Sequence, residues 1–236
     1  MSRRTVIITG ATKGLGRATA LEFAKAGHRV IGTYSNDDNA ADQMRNELRT
    51  LNGDSEIFKH DVRDDFLPLW NSLGLSKDES LTVINNACAS FVPRPFHLVT
   101  WEEVQNALDI GLKGSWLYSL GVLRVMIRAG NGTIVNVLTT ALQGTPPKGF
   151  SAYLVAKHAI RGLTLAMASE YSEKGIRVFS VSPGFMETSL TANWDFRLVE
   201  SMRTDPNGTD PAVRASMIRQ LVEDKTTLGQ GEDYLI

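Results

Sequence analysis

Short apolar runs alternate with helix-like stretches along this chain, and that alternation narrows its fold more than any other feature. Thr5–Thr9 (TVIIT), Arg29–Tyr34 (RVIGTY), Glu56–Lys59 (EIFK) and residues 81–84, 133–138 and 177–181 carry the strand signal. Helical spacing falls at residues 16–26, 40–51, 101–129 and 151–173. Gly27 is placed to end the first of these, and Thr100, ahead of Glu102 and Glu103, to cap the third. Strands that are apolar throughout, each followed by a helix, predict a parallel sheet covered on both faces. Right-handed crossovers then make the fold doubly wound α/β. The 236 residues suffice for one such domain. Residues 188–223, helix-rich but interrupted by Asp205-Pro206-Asn207-Gly208 and Asp210-Pro211, read as an excursion over the sheet edge, a substrate lid. Residues 232–236 read as a final strand.

Charge and cysteine content exclude several function classes. Lys and Arg number 25 against 26 Asp and Glu, so the net charge of −1 gives no electrostatic reason to expect nucleic acid or an anionic membrane as partner. The single cysteine, Cys88, excludes an internal disulfide framework and a cysteine-based zinc site and fits a reducing cytoplasm. His28, His60, His97 and His158 are scattered without the spacing of metal ligands, so no metal is expected. His158 reads as a helix-packing residue and Asp64-Asp65 as a turn or helix start. No stretch approaches the ~20 apolar residues that span a bilayer. Arg3 and Arg4 precede an apolar run, but Val6-Ile7-Ile8 is too short for a signal peptide and reads as a strand.

Thr9-Gly10-Ala11-Thr12-Lys13-Gly14-Leu15-Gly16 joins the first strand to the first helix. Its glycines let the backbone turn sharply and approach a pyrophosphate at a helix N-terminus, where free N–H groups and the dipole favour anions. Further along stand His60-Asp61-Val62, Asn85-Asn86-Ala87-Cys88, Tyr153-x3-Lys157 and Ser182-Pro183-Gly184-Phe185-Met186-Glu187-Thr188. As an ordered set over residues 5–190 these motifs resemble the classical short-chain dehydrogenase/reductase family, which implies a Rossmann-type sheet and a nicotinamide cofactor. The resemblance implies that Gly10, Thr12, Lys13, Gly14, Leu15 and Gly16 cradle the pyrophosphate. It implies that Asp61 and Val62 meet the adenine, that Asn86 and Ala87 line the cofactor site, and that Pro183, Gly184, Met186 and Thr188 hold the nicotinamide carboxamide.

NAD enzymes place an acid near the end of the second strand, where it would repel the 2′-phosphate of NADP. Here that strand ends Gly32-Thr33-Tyr34-Ser35-Asn36, with no acid before Asp37 and Asp38. Lys13 stands where NADP-preferring relatives often carry a basic residue. Tyr34, Ser35 and Lys13 therefore favour NADP(H) over NAD(H), an assignment that reverses if Asp37 turns inward.

Tyr153 and Lys157 lie four apart near a helix start and can share one face. A phenol with a pKa near ~10 exchanges protons poorly at neutral pH, and a nearby ammonium together with the positively charged oxidised nicotinamide is expected to lower it until it serves as general acid in reduction and base in oxidation. The family's third member is a serine at the end of the fifth strand that hydrogen-bonds the substrate oxygen; this chain offers Thr139-Thr140. Counting along the strand from Gly132 points to Thr139, counting back from Tyr153 to Thr140, and the strand is the stiffer ruler. The family's fourth member is an asparagine holding a water that links the lysine to solvent, and here Gly111 takes its place. Proton relay through solvent or a side chain such as Ser115, or impaired turnover, follows from that change. Cys88, where the family has glycine, narrows the ribose site or is an inert buried thiol.

Leu142, Gln143, Phe185, Met186, Trp194 and Phe196 are candidate walls for the substrate. Their apolar character points to a medium-sized or acyl-chain carbonyl compound, and the resemblance is nearest to 3-oxoacyl-thioester and carbonyl reductases. It also implies a homodimer or homotetramer formed through the faces of residues 101–129 and 151–173. Two other readings stay open: a cofactor-binding sensor or scaffold with weak catalysis, and an epimerase or dehydratase using transient hydride transfer.

Overall fold

The computed structural model describes residues 3–51, 53–75, 80–203, 210–224 and 230–236. The strands are β1 (Thr5–Thr9), β2 (Arg29–Tyr34), β3 (Glu56–Lys59), β4 (Leu81–Asn85), β5 (Gly132–Val137), β6 (Ile176–Ser182) and β7 (Asp233–Leu235). They form one sheet in the order β3-β2-β1-β4-β5-β6-β7, every neighbouring pair parallel. The helices are α1 (Gly14–Lys25), α2 (Asp38–Leu51), α3 (Leu67–Ser72), α4 (Trp101–Leu108), α5 (Gly114–Ala129), α6 (Ser151–Tyr171), α7 (Phe196–Met202) and α8 (Pro211–Glu223).

Period-two alternation along β1 sends Val6 and Ile8 to one core and Ile7 to the other. The first core is closed by Phe23 of α1, Met44 of α2 and Ile218 of α8; the second by Leu69 of α3, Tyr118 of α5 and Leu163 of α6. The sheet is therefore doubly wound, and its order reverses direction between β1 and β4. That switch point opens a crevice at the carboxyl ends of the strands. Thr9 Oγ1 accepts from the backbone N–H groups of Asn86 and Ala87, 2.9 Å each, and so braces the crevice's two banks. Deeper, Asn85 Nδ2 donates to Asn136 Oδ1 and Asn136 Nδ2 to Thr164 Oγ1, each at 2.8 Å, which locks β4, β5 and α6 together.

Several expectations need correction. The helix expected over residues 101–129 is two helices, α4 and α5, joined by a π turn over Asp109–Lys113 with Gly111 at its centre. The short α3 lacks an amphipathic repeat long enough to register in the sequence; Asp65 starts it, its carboxylate accepting from Leu67 N–H at 3.0 Å. The lid reading of residues 188–223 fails for α8, which lies on α1 and buries Ala215, Ile218 and Val222. Asp210 caps that helix, while Asp205-Pro206-Asn207-Gly208 lies outside the described residues. His158 is exposed rather than packed. Among the described residues no helix is long and apolar enough to cross a membrane.

Candidate active site

The turn between β1 and α1 forms one bank of the crevice. Gly10 and Gly14 take left-handed φ values of +65° and +51°, which side chains rarely tolerate. Gly16 is required by space: a Cβ there would sit 2.2 Å from Gly10 O and 2.5 Å from Asn86 Nδ2. Asn86 Nδ2 donates to Thr9 O at 2.9 Å and to Gly10 O at 3.3 Å, holding the turn open at a helix N-terminus. This cradle, in a crevice of about 460 Å³, fits the pyrophosphate of a dinucleotide. Gly10, Thr12, Lys13, Gly14, Leu15, Tyr34 and Ser35 line it on this side, and Asn86, Ala87, Pro183, Met186 and Thr188 on the other.

Asp61 and Val62 do not border the crevice. The Asp61 carboxylate is held by Arg63, which donates to it at 2.6 and 2.9 Å and keeps it below the usual carboxylate range. Val62 is buried beneath Gly114, where a Cβ would come within 2.9 Å of it. Asp37 does border the crevice, paired with Lys13. The lysine's hydrogen bond is the largest of the influences that lower its pKa, and the N–H of Ala40 at the start of α2 adds to it. Asp37 thus turns toward the crevice, the orientation that speaks for NAD(H), with its carboxylate paired to Lys13 and capping α2.

The opposite bank carries the Tyr153–Lys157 pair. Tyr153 and Lys157 lie one turn apart on α6 and both border the crevice. Lys157 is buried, its Nζ 5.6 Å from the Tyr153 ring centroid and donating to Val137 O at 2.7 Å. Thr139, beyond the end of β5, shares a pocket wall with Tyr153, and its Oγ1 accepts from Ala141 N–H at 3.2 Å. Thr140 opens the following 3-10 turn, and its N–H donates to Pro183 O at 3.1 Å.

The expected acidification of the phenol is absent from this arrangement. Burial pushes the Tyr153 pKa up, Cys88 beside it adds to the rise, and Thr139 opposes it. Burial also lowers the pKa of Lys157, against the pull of Cys88. Loss of water is thus the leading influence on both groups. Cys88 is itself raised by burial, as suits an unreactive thiol.

Tyr153 also borders a second pocket of about 630 Å³ on the far side of the strand ends. Thr139, Thr140, Gln143, Gly184, Phe185 and Trp194 stand on its wall. Leu142 and Phe196 do not; Phe196 faces another cleft and is 70% exposed. Ser201 and Met202 at the end of α7 also border the pocket.

Four features escaped the sequence. Phe91 stacks on Tyr153 with ring centroids 4.8 Å apart, and Phe150 meets it edge-on at 6.0 Å. Trp194 Nε1 donates to Phe91 O at 2.9 Å, tying the segment after β6 to the segment after β4. Asn106 of α4 borders the crevice as well. No spacing signal marks these residues, because each comes from a different loop or helix. Ser115, considered for proton relay, is buried and donates to Gly111 O at 2.6 Å. Among the described residues no three His, Cys, Asp or Glu side chains converge on a metal position.

Comparison with known proteins agrees with this architecture. Residues 4–197 match the family described as short chain dehydrogenase. A 3-oxoacyl-[acyl-carrier-protein] reductase of Synechocystis sp. is 28% identical over 195 residues, covering 82% of this chain and 78% of that protein. A crystal structure of a 3-oxoacyl-[acyl-carrier protein] reductase with bound NAD from Brucella melitensis superposes with a TM-score of 0.85 at 26% identity, covering 99% of this chain and 89% of the other. A chain from Beutenbergia cavernae, assigned as an NAD(P) dependent gluconate 5-dehydrogenase with NADP at low occupancy, gives 0.86 at 26% identity, covering 100% and 95%. A doubly wound sheet whose switch-point crevice meets Tyr153 and the buried Lys157, together with a match over most of its length, makes this chain a member of the short-chain dehydrogenase family of oxidoreductases.

Proposed function

We propose that the chain is an NADP(H)-dependent carbonyl reductase in which Tyr153 is the general acid, Thr139 holds the substrate oxygen and Lys157 supports the phenol. The observation that carries this reading is the position of Tyr153, whose side chain borders both the cofactor crevice and the 630 Å³ pocket. Bound nicotinamide would supply the hydride. Thr139, on the same pocket wall as the phenol, can donate its hydroxyl to a carbonyl oxygen lying beside it. As that oxygen gains negative charge, the proton of Tyr153 moves to it. Burial keeps the phenol protonated, as a proton donor must be, and makes it a weaker acid than an ordinary phenol. The apolar wall around Phe185 and Trp194 supports a medium-sized neutral or acyl-chain ketone, with the reverse reaction acting on the secondary alcohol.

NADP(H) is favoured because Lys13 can give a 2′-phosphate a charge-assisted hydrogen bond. Asp37 must first release it, which its second role as the α2 cap allows without loss of the carboxylate's other partners. The exposed Trp101, Trp116 and Leu120, with Val155 and Leu165, support assembly of copies through α4, α5 and α6. The lone Cys88 supports a cytoplasmic setting.

Oxidation of NADPH and of NADH with a panel of ketones, repeated with Tyr153→Phe, tests the proposal. Ketone-dependent consumption that prefers NADPH and vanishes in the variant is the expected result. Cofactor binding without turnover would instead support the sensor reading, for which the raised phenol and Gly111 are the observations in favour.

A further inference from the structure

The 630 Å³ pocket that Tyr153 borders has an apolar wall around Phe185 and Trp194, yet a cation enters it. Of the described residues on that wall, Arg214 alone has a charged side chain. It lies in the first turn of α8, which Asp210 caps, and Ala215, Ile218 and Val222 seat that helix on α1. The seat brings the guanidinium to the end of β6: a Cβ on Gly184 would sit 3.6 Å from Arg214 Nη2. Gly184 N–H donates to Ile236 O at 2.9 Å, and Pro183 O before it accepts from Thr140 N–H at 3.1 Å. Arg214 therefore stands beside the same strand ends that carry the threonine pair.

The two ends of the pocket come from opposite faces of the sheet. Ile218 of α8 belongs to the first core and Leu163 of α6 to the second. Tyr153 thus reaches the pocket from one face and Arg214 from the other, with the ends of β6 and β7 bordering it as well. A substrate whose carbonyl oxygen meets Tyr153 can run along Phe185 and Trp194 and present its far end to Arg214.

A guanidinium stays charged and offers five N–H donors in a planar fork. It meets a carboxylate through two parallel bonds while its other donors stay on the protein. A ketone that fills the pocket displaces water from around this charge, a cost that a carboxylate offsets and an alkyl end does not. One cation suits a monoanion better than a phosphate monoester, whose charge is about −1.5 to −2. Glu187 and Glu200, acids of the adjoining segment, both pair with Arg203.

We infer that Arg214 is a specificity-determining residue that binds a carboxylate on the substrate, which makes that substrate an oxo acid with an apolar chain between its carbonyl and its carboxylate. The inference rests on the reading of Tyr153 as the site of reduction and narrows the acyl-chain ketone to one that ends in an anion. Arg214 touches no reacting atom. Its bond to the carboxylate is the same before and during hydride transfer, so it acts on KM and leaves kcat alone.

The test sets levulinate and its longer straight-chain homologues against their methyl esters, with NADPH and the wild type, Arg214→Met and Arg214→Lys. In the wild type, kcat/KM for the best acid should exceed that for its ester by about 10- to 100-fold, the worth of a hydrogen bond to a charged group. Arg214→Met, which keeps an apolar stem, should raise KM for the acid until the preference is gone, and Arg214→Lys should restore part of it. Equal use of acid and ester by the wild type overturns the inference. So does a loss in Arg214→Met that acid and ester share with a lowered melting temperature, the mark of an arginine that only braces the end of β7. Preference for a ketone bearing a phosphate monoester overturns it as well. Absence of any Tyr153-dependent turnover would defeat the proposed reduction instead. Calorimetric titration of the acid into the wild type and Arg214→Met then decides Arg214 by itself: binding lost in the variant upholds its role, and equal binding overturns it.

Discussion

The β1–α1 turn and the α6 bank face each other across one crevice but are built by different means. The turn is shaped by backbone: positive φ at Gly10 and Gly14, the missing Cβ of Gly16, and the Asn86 amide on two carbonyl oxygens. The α6 bank is shaped by side chains: the buried Lys157 on Val137 O, and the half-buried Tyr153 under Phe91, which stacks over the phenol. Backbone construction tolerates water and binds a ligand of constant shape. Side-chain construction reduces the water around titratable groups and so shifts their protonation.

Changes on the two banks should therefore fail differently. The largest effect belongs to Tyr153→Phe: kcat for ketone reduction is expected to fall 10²–10⁴-fold, with the melting temperature and NADPH affinity retained. A variant that loses both rate and fold would mean that the phenol is structural, erasing the contrast. On the other bank, Gly16→Ala should act through structure. Pressing a methyl into Gly10 O costs roughly 1–3 kcal/mol, and a melting temperature lowered by about 2–4 °C per kcal/mol for a chain of this size would register it. Dinucleotide binding should be lost with it, and a stable, fully binding Gly16→Ala protein would contradict the cradle.

Smaller effects sharpen the comparison within each bank. Thr139→Ala should lower kcat about tenfold, the equivalent of one hydrogen bond of ~1.4 kcal/mol to the transition state, while Thr140→Ala stays within about threefold. The reverse order would return the role to Thr140. Lys13→Ala should raise KM for NADPH by about tenfold, a charge-assisted contact of ~1.4 kcal/mol, and leave KM for NADH unchanged. Equal effects on both cofactors would show that Lys13 does not meet a 2′-phosphate. The mildest difference concerns Cys88. Burial raises its pKa, so less thiolate exists at any given pH, and alkylation at pH 8 should run slower than that of free cysteine. Fast modification would mean that water reaches the α6 bank.

Much of the fold was legible from the chain because its information is local. β-Branched runs marked Thr5–Thr9, Arg29–Tyr34 and Glu56–Lys59 to the residue. Glycine spacing placed the turn, and the stiff end of β5 pointed to Thr139, which stands with Thr140 on the pocket wall that Tyr153 shares. Asp61 misled because resemblance supplied its role, while a local ion pair with Arg63 directs its carboxylate. The lid reading of α8 failed because burial against α1, a helix distant in sequence, cannot be read from polar breaks on either side. Phe91, Phe150 and Asn106 were missed for the same reason.

Periodicity, glycine positions and the Tyr153–Lys157 interval follow from backbone geometry and short-range sterics, so the linear sequence alone determined the parallel sheet, the glycine turn and the placing of Tyr153 and Lys157 one helical turn apart. The direction in which burial moves the phenol, the pairing of Lys13 with Asp37 and the place of Arg214 on the pocket wall were decided by tertiary structure. Those properties depend on how much water and which charges surround a group, and its neighbours come from strands and helices far away along the chain.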